Sequence, residues 1–171
     1  MTHVKHRQLP IGQYRYRCRM ATHTVEELPL ADVLDLRIRV LRKGTPSSNP
    51  SYVEDDDPST VHLGVRNDIG VIAVSSWIDR PYPVEPTLRA VQLKGMAIDE
   101  NLQGSGIGRL ILNAGETRAT ERGAVIVWAR ARDAAMDFYV KCGYRMVGDM
   151  FMDDATGLPH HIVMKRLPKR R

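Results

Sequence analysis

The stretch that most constrains the fold of this chain is residues 96–109, where an apolar segment meets three closely spaced glycines. Its sequence, MAIDENLQGSGIGR, predicts a strand that ends near Asp99 and a helix that begins near Ile107. Glycines at the start of a helix let backbone N–H groups approach a ligand closely, and the helix dipole favours an anion there. The sequence therefore predicts a phosphate-binding cradle between a strand and a helix.

Two common phosphate-binding motifs do not fit this cradle. Arg109 occupies the place of the third glycine of a G-x-G-x-x-G dinucleotide fingerprint, and no Gly-Lys-Ser/Thr sequence marks a nucleoside-triphosphate loop. A glycine-rich turn without a ligand is the remaining structural alternative. The ligand of the cradle has to be inferred from other parts of the chain.

A second motif follows at residues 134–144, which read AAMDFYVKCGY and predict a short helix that ends at a glycine. Together with the spacing Gln103-x-x-Gly106-x-Gly108, this stretch resembles the two signatures of the GNAT superfamily of N-acetyltransferases. Two motifs in the right order and at the right separation make the resemblance specific. It extends over about residues 15–167.

The order of predicted elements is β-α-β-β-β-α-β-α-β-β, which indicates an α/β fold with a mixed sheet. Helix-crossed strands in the second half of the chain predict parallel pairing there. The resemblance implies one domain over residues 1–171, with a core at about 13–167 and a centrally splayed sheet flanked by helices. The predicted strands are 13–20, 61–66, 69–78, 90–99, 124–131, 144–152 and 160–167, and the predicted helices are 30–41, 107–122 and 133–142.

The resemblance also implies a substrate and the residues that bind it. Acetyl-CoA would donate its acetyl group to an amine that attacks directly in a ternary complex, and backbone N–H groups at the splay would stabilise the oxyanion. The backbone would pair with the pantetheine arm at Met96, Ala97 and Ile98. The pyrophosphate would be held by Gln103, Gly104, Ser105, Gly106, Ile107, Gly108 and Arg109.

Tyr139 is the predicted general acid, because family members use the tyrosine of this motif to protonate the departing thiolate. A packed aromatic residue with a satisfied hydroxyl is the competing interpretation. Arg132 departs from the family pattern, since many members have an asparagine seven positions before this tyrosine to contact pantetheine. A guanidinium there would contact the cofactor or its phosphates, or have an unrelated role.

The general base is chosen from acidic and histidine side chains, because an alkyl amine in water is mostly protonated at pH 7. Glu100 is the predicted base, and Asp99, His62 and His160 remain open as alternatives. Another feature bears on the acceptor: the acidic run at residues 54–57, EDDD, is either a solvated loop or a wall that attracts a cationic amine. The predicted acceptor is accordingly a small cationic amine or a peptide or protein amine.

Charge and composition limit the alternatives. A formal net charge of +5 is compatible with an anionic partner such as acetyl-CoA, and also with nucleic acid through Arg15, Arg17, Arg19 and the basic C-terminal residues. No nucleic-acid motif accompanies these charges, so that interpretation is disfavoured. A non-catalytic acyl-CoA-binding module on the same fold remains the main alternative to an enzyme.

The remaining expectations concern location and assembly. Two cysteines, Cys18 and Cys142, make no disulfide framework, and no Cys/His spacing suggests a metal site. No signal segment or membrane span is evident, so a cytoplasmic protein with no membrane partner is expected. The family commonly dimerises, which leaves a homodimer open.

Overall fold

The computed structural model describes residues 14–18 and 21–168, apart from the side chains of 14–18, 21 and 22. The strands are β1 (Tyr14–Cys18), β2 (Ala21–Glu27), β3 (Val61–Asn67), β4 (Gly70–Asp79), β5 (Ala90–Ile98), β6 (Ile126–Arg132), β7 (Arg145–Met152) and β8 (Pro159–Arg166). The helices are α1 (Leu30–Leu36), which continues as a π turn (Arg37–Leu41), α2 (Ile107–Glu121) and α3 (Met136–Lys141). Short 3-10 turns lie at Val53–Asp56, Glu100–Leu102 and Asp133–Ala135.

All the predicted helices and strands are present, and the structure adds β2, which pairs antiparallel with β1 and β3. The sequence analysis has a single strand at 13–20 and nothing between it and α1. β2 contains Thr22, Thr24 and Val25, whose branched side chains favour a strand, but its sequence, ATHTVEE, does not alternate apolar and polar residues. The predicted alternation of side chains along β1 lies outside the described residues.

The sheet has eight strands in the order β1-β2-β3-β4-β5-β6-β8-β7, and it is mixed as predicted. β5 and β6 are parallel neighbours, joined by α2. β7 runs in the same direction as β5 and β6, as the crossing helix α3 predicts, but the expected parallel pairing of β7 with β6 does not form. β8 inserts between β6 and β7 and pairs antiparallel with both, because the turn after β7 returns the chain into the gap.

The centre of the sheet is splayed, as the resemblance implies. β5 and β6 pair only from Ala90 with Ile126 to Leu93 with Ala129, although both strands continue beyond those residues. A bulge lies just past the last pair, where Ser75 of β4 stands opposite two residues of β5. Gly95 forms this bulge with a φ of 60°, and a bulge bends its strand away from a neighbour.

The main core lies between the sheet and α2. Ile107, Leu110, Ile111 and Ala114 of this helix are buried at the spacing that the sequence predicts. Gly115 permits the closest approach, because a Cβ there would lie 1.9 Å from the Trp77 indole. α1 covers the opposite face of the sheet, where it packs on Val74 and Ala97. Among the described residues no helix has both the length and the apolar character needed to cross a membrane.

Candidate functional site

The glycine cradle lies where the sequence analysis puts it, at the N-terminus of α2. Gly104 and Gly106 have φ values of 79° and 94°, a conformation that glycine adopts at little cost. Gly106 is the N-cap residue, and within the described chain no side chain caps this helix. Residues 103–106 are exposed. The first N–H groups of α2 are therefore available to an external anion, which is what a pyrophosphate needs.

Two side chains of the predicted cradle have structural partners. The Gln103 amide donates to the Ile98 carbonyl at 3.2 Å, which ties the turn to the end of β5. The Arg109 guanidinium donates to the Lys141 carbonyl at 2.9 Å, at the end of α3, and the side chain stays exposed. Arg109 therefore fastens α3 beside the cradle.

Gly108 brings α3 against the first turn of α2. A Cβ at this position would lie 3.2 Å from the Phe138 ring and 3.6 Å from the Met96 Cε atom. Because Met96 belongs to β5, three elements meet here: the splayed strand, the cradle helix and the helix that carries Tyr139. The motif residues are thus brought together as their order in the sequence predicts.

A cleft of about 520 Å³ adjoins this junction. Met96 and Tyr139 line it, together with the free end of β6, the loop after α1 and the loop between β7 and β8. Ala97, Ile98 and residues 103–109 do not line the cleft. The exposed glycine cradle and the cleft are therefore separate regions, and Met96, which packs near Gly108 and lines the cleft, lies between them. A volume of this size suits a small molecule.

Tyr139 is buried at the inner end of the cleft. Its ring makes edge contacts with Phe138 and Tyr144, each at 5.3 Å between centroids. Burial raises the pKa of the Tyr139 hydroxyl far above its ordinary value, so the phenol is protonated at neutral pH. The ring of Tyr139 is also part of the core, as the alternative interpretation of a packed aromatic residue predicts.

The predicted base candidates on the turn after β5 do not line the cleft. Glu100 pairs on the surface with Lys43 at 2.7 Å, where both side chains are half exposed or more. Asp99 accepts hydrogen bonds from Arg39 and from the Asn101 N–H, and these bonds lower its pKa. Both carboxylates therefore stabilise the turn that leads into the cradle.

The two histidine candidates differ in position. His62 is a buried residue of β3, where its Nδ1 lies 2.7 Å from the hydroxyl of its cross-strand neighbour Ser76, and burial lowers its pKa. His160 lines the cleft, although little of its side chain is exposed to bulk solvent. Its Nδ1 lies 2.9 Å from the Leu158 carbonyl. A carbonyl can only accept, so Nδ1 carries the proton, and in the neutral ring Nε2 is left as an acceptor.

The acidic run is neither fully solvated nor a free negative wall. Glu54 lines the cleft but pairs with Lys94 at 2.7 Å and also with Arg80. Although burial raises its pKa, these hydrogen bonds lower it to about 2. Asp55 is buried in a two-bond ion pair with Arg37. Two of the four carboxylates are thus neutralised within the protein.

The sequence analysis missed Tyr52, which lines the cleft, and Arg37, which packs behind it against the Tyr52 ring. Arg37 is fully buried and donates to Asp55, to the Pro50 carbonyl and to the Ser76 hydroxyl. Its place four residues after Val33, on the apolar stripe of α1, was the available signal. Tyr52 lies in the loop that follows α1, and its ring contacts Arg37, Arg42 and Lys94 at 4.5–5.4 Å. No local pattern marks a loop residue of this kind.

The basic residues that suggested nucleic acid are partly accounted for. Lys165 pairs with Glu116 and Arg166 pairs with Glu85, each at 2.7 Å. The side chains of residues 15, 17 and 19, and residues 169–171, lie outside the described part of the chain. In the described ranges, no three His, Cys, Asp or Glu side chains come together as a metal site requires.

Comparisons with known proteins agree with this geometry. A model described as the acetyltransferase (GNAT) family matches residues 30–144. YitI of Bacillus subtilis (strain 168), an uncharacterized N-acetyltransferase, is 30% identical over 140 residues, which cover 82% of this chain and 93% of that protein.

Two crystal structures share the fold at low identity. The GNAT domain of S. lividans PAT has a TM-score of 0.70 at 15% identity, over 94% of this chain and 100% of that chain. An aminoglycoside 6'-N-acetyltransferase complexed with coenzyme A has a TM-score of 0.65 at 16% identity, over 86% of this chain and 98% of that chain.

Proposed function

Since the chain belongs to the GNAT family of acetyltransferases and is therefore an acyltransferase that uses an acyl-CoA, we propose that it transfers an acetyl group from acetyl-CoA to an amine. The amine attacks directly in a ternary complex, so no acyl-enzyme is needed. The observation that carries this proposal is the splay past Leu93 and Ala129, where Met96 lies between the uncapped cradle and the cleft.

The donor side of the proposal rests on backbone groups. The N–H groups of Gly104 and residues 106–109 hold the pyrophosphate, because no side chain caps the first turn of α2. The N–H groups of Gln103 and Ser105 instead donate to carbonyls of the preceding turn. Past Leu93, β5 continues without β6 beside it, so Met96, Ala97 and Ile98 face the opening with one strand edge. That edge is suited to pair with the pantetheine arm and to donate to a developing oxyanion. Acetyl-CoA supplies the activated acyl group.

Tyr139 is the proposed general acid. Its raised pKa keeps the hydroxyl protonated, and its place on the wall of the cleft, beside Met96, puts a donor near the splay. A phenol that is less acidic than a thiol acts best by a hydrogen bond that strengthens as negative charge develops on sulfur. The core packing of the ring fixes the direction of that donor.

His160 is the proposed general base, in place of Glu100. Of the four candidates from the sequence, it is the one that lines the cleft. The Leu158 carbonyl holds its Nδ1–H, which leaves Nε2 to take a proton from the attacking amine. Glu100 instead pairs with Lys43.

The test begins with binding. Acetyl-CoA at about 100 times its Kd should raise the free energy of unfolding by about 2.7 kcal/mol in a thermal shift measurement. Absence of any stabilisation would contradict the cradle. CoA release is then followed over a panel of amines, peptides and polyamines with the wild-type protein.

Tyr139→Phe tests the acid. It should lower kcat by about 100-fold while the stabilisation by acetyl-CoA persists. Tyr82→Phe is the matched control, because Tyr82 is an equally buried tyrosine that packs on Trp128 away from the cleft. Equal rates for the two variants would remove the role of Tyr139.

A further inference from the structure

Two arginines in the cleft have no carboxylate partner. Arg42 follows α1 and Arg132 ends β6, and both line the cleft and are partly buried. Arg42 donates from Nε to the Asn49 carbonyl at 2.6 Å, and Arg132 donates from one terminal nitrogen to the Leu41 carbonyl. Of the arginine side chains that the structure describes, these are the two that are partly buried without an ion pair.

The other charges of the cleft wall are matched. Lys94 pairs with Glu54 at 2.7 Å, and Arg130 pairs with Asp153 at 3.3 Å. The wall therefore contains four cationic side chains and two carboxylates, and the excess is located at Arg42 and Arg132.

The excess positive charge is costly, because a partly buried cation has lost solvation, and one hydrogen bond to a backbone carbonyl replaces only part of it. Burial lowers the pKa of Arg132 and the nearby Arg42 lowers it further, while Tyr52 and Asp153 offset part of this effect. Each guanidinium donates one N–H group to a backbone carbonyl. The remaining N–H groups of two adjacent guanidinium forks form the donor set that a carboxylate accepts most readily.

The arginines lie on the acceptor side of the sheet. Ala129 and Ala131 of β6 are in the core cluster that contains the residues of α2. Because side chains alternate along a strand, Arg132 lies on the opposite face, where it meets Leu41. The glycine cradle is at the N-terminus of α2 and does not line this cleft. The phosphates of an acyl-CoA at the cradle therefore leave the two arginines free.

We propose that Arg42 and Arg132 bind a carboxylate of the acceptor, which is therefore a compact amine that also carries a carboxylate, as a free amino acid does. This inference rests on the proposed acetyl transfer. A cleft of about 520 Å³ that also admits the thioester leaves room for a small acceptor. A protein N-terminus has no carboxylate beside its amine, so it does not use this pair of charges.

The experiment compares acceptors that differ only in the carboxylate. The probes are the twenty L-amino acids, β-alanine and γ-aminobutyrate, each beside its carboxamide, with O-phosphoethanolamine as a phosphate-bearing amine. Rates of CoA release are expressed per unit of unprotonated amine, because an amide lowers the pKa of a neighbouring amine. The expected kcat/KM for the best amino acid exceeds that of its amide by roughly 30-fold or more.

The variants are Arg42→Gln and Arg132→Gln. Each should bring the acid-to-amide ratio of kcat/KM toward one while the KM for acetyl-CoA stays unchanged. Arg132→Lys should restore part of the ratio, since it keeps the charge and loses the fork. Arg89→Gln is the matched control, an exposed arginine outside the cleft that also lacks an ion pair, and it should keep the wild-type ratio.

A binding measurement tests carboxylate recognition without relying on turnover. Calorimetric titration of the N-acetyl form of the best acceptor, with CoA present, should give a Kd that rises at least tenfold in either glutamine variant. The N-acetyl amide should bind the wild-type protein and both variants alike. A merely structural role of the arginines would weaken both ligands equally, and so would overturn the proposal.

Three further results would overturn the proposed carboxylate recognition and leave acetyl transfer intact. The protein could use carboxamides as well as the corresponding acids, or prefer O-phosphoethanolamine to every amino acid. The third such result is that the glutamine variants raise only the KM for acetyl-CoA. A wild-type protein that acetylates no amine and gains no stability from acetyl-CoA contradicts the proposed function itself. The two failures are therefore distinguishable.

Discussion

The buried ion pair between Arg37 and Asp55 gives the sharpest prediction about this structure. The two side chains are 1% and 3% exposed, and the carboxylate accepts from both terminal nitrogens of the guanidinium, at 2.7 and 2.9 Å. It also accepts from the backbone N–H of Tyr52 at 2.8 Å. Asp55→Asn keeps the shape of the side chain but leaves a buried cation without its counter-charge.

Loss of one partner of such a pair costs about 3–5 kcal/mol in the free energy of unfolding. For a chain of this length that corresponds to a decrease in Tm of roughly 6–20 °C. Asp56→Asn is the matched control, because Asp56 is the exposed neighbour in the same acidic run and should change stability by about 0.5 kcal/mol at most. Urea denaturation of both variants measures the difference.

A double variant separates the charge from the packing. Arg37→Met combined with Asp55→Asn removes the unpaired cation, so its cost should be smaller than the sum of the two single costs. If Asp55→Asn is as stable as Asp56→Asn, or if the single costs simply add, the ion pair is not formed as the structure has it.

The same pair predicts a dependence on pH. Burial is the largest single influence and raises the pKa of Asp55, but the hydrogen bonds from Arg37 and the Tyr52 N–H, together with the Arg37 charge, outweigh it, and the net pKa in the folded protein is below its ordinary value. The stabilisation is therefore complete above about pH 4, the ordinary range of an Asp carboxyl, and is lost as pH falls through the folded value. The difference in stability between wild type and Asp55→Asn should narrow below pH 4 and stay constant above it.

Three further substitutions test the core, the cradle and the proposed base. Gly115→Ala should lower the free energy of unfolding by about 1–3 kcal/mol in urea, because its Cβ overlaps the Trp77 indole; unchanged stability would contradict that contact. Gly106→Ala should raise the KM for acetyl-CoA, whereas Gly148→Ala, also at a positive φ but on β7, should not. His160→Gln should lower kcat by about 100-fold while acetyl-CoA still raises the Tm, and a normal kcat would exclude the base.

The sequence was sufficient for the cradle because its determinants are local. Glycine spacing, a strand before it and a helix after it all lie within residues 96–109, and the structure has them there. Tyr139 is close to this group because the helix that carries it packs on Gly108. Local signals of this kind are readable without knowledge of the fold.

The cleft was not predictable in the same way. His160 is on β8, Arg132 ends β6, and Arg42 and Tyr52 belong to the loop after α1; long-range pairing brings these three parts of the chain together. Glu100 was favoured because it is near the cradle in sequence, but its side chain turns to Lys43. Only the pairing of β6 with β8, which sets Arg132 opposite His160, puts these two residues side by side.

The bulge at Gly95 connects the stability of the fold to the shape of the site. A Cβ at Gly95 would lie 2.8 Å from the Tyr52 ring and 3.0 Å from Arg37 Nε, so the bulge leaves space for the same network that contains Asp55. That network fixes the loop after α1, and Tyr52 in this loop contacts Arg42. The bulge at Gly95, where β5 separates from β6, is therefore packed against the loop after α1 that lines the cleft. A variant such as Asp55→Asn should consequently raise the KM for the acceptor more than the KM for acetyl-CoA.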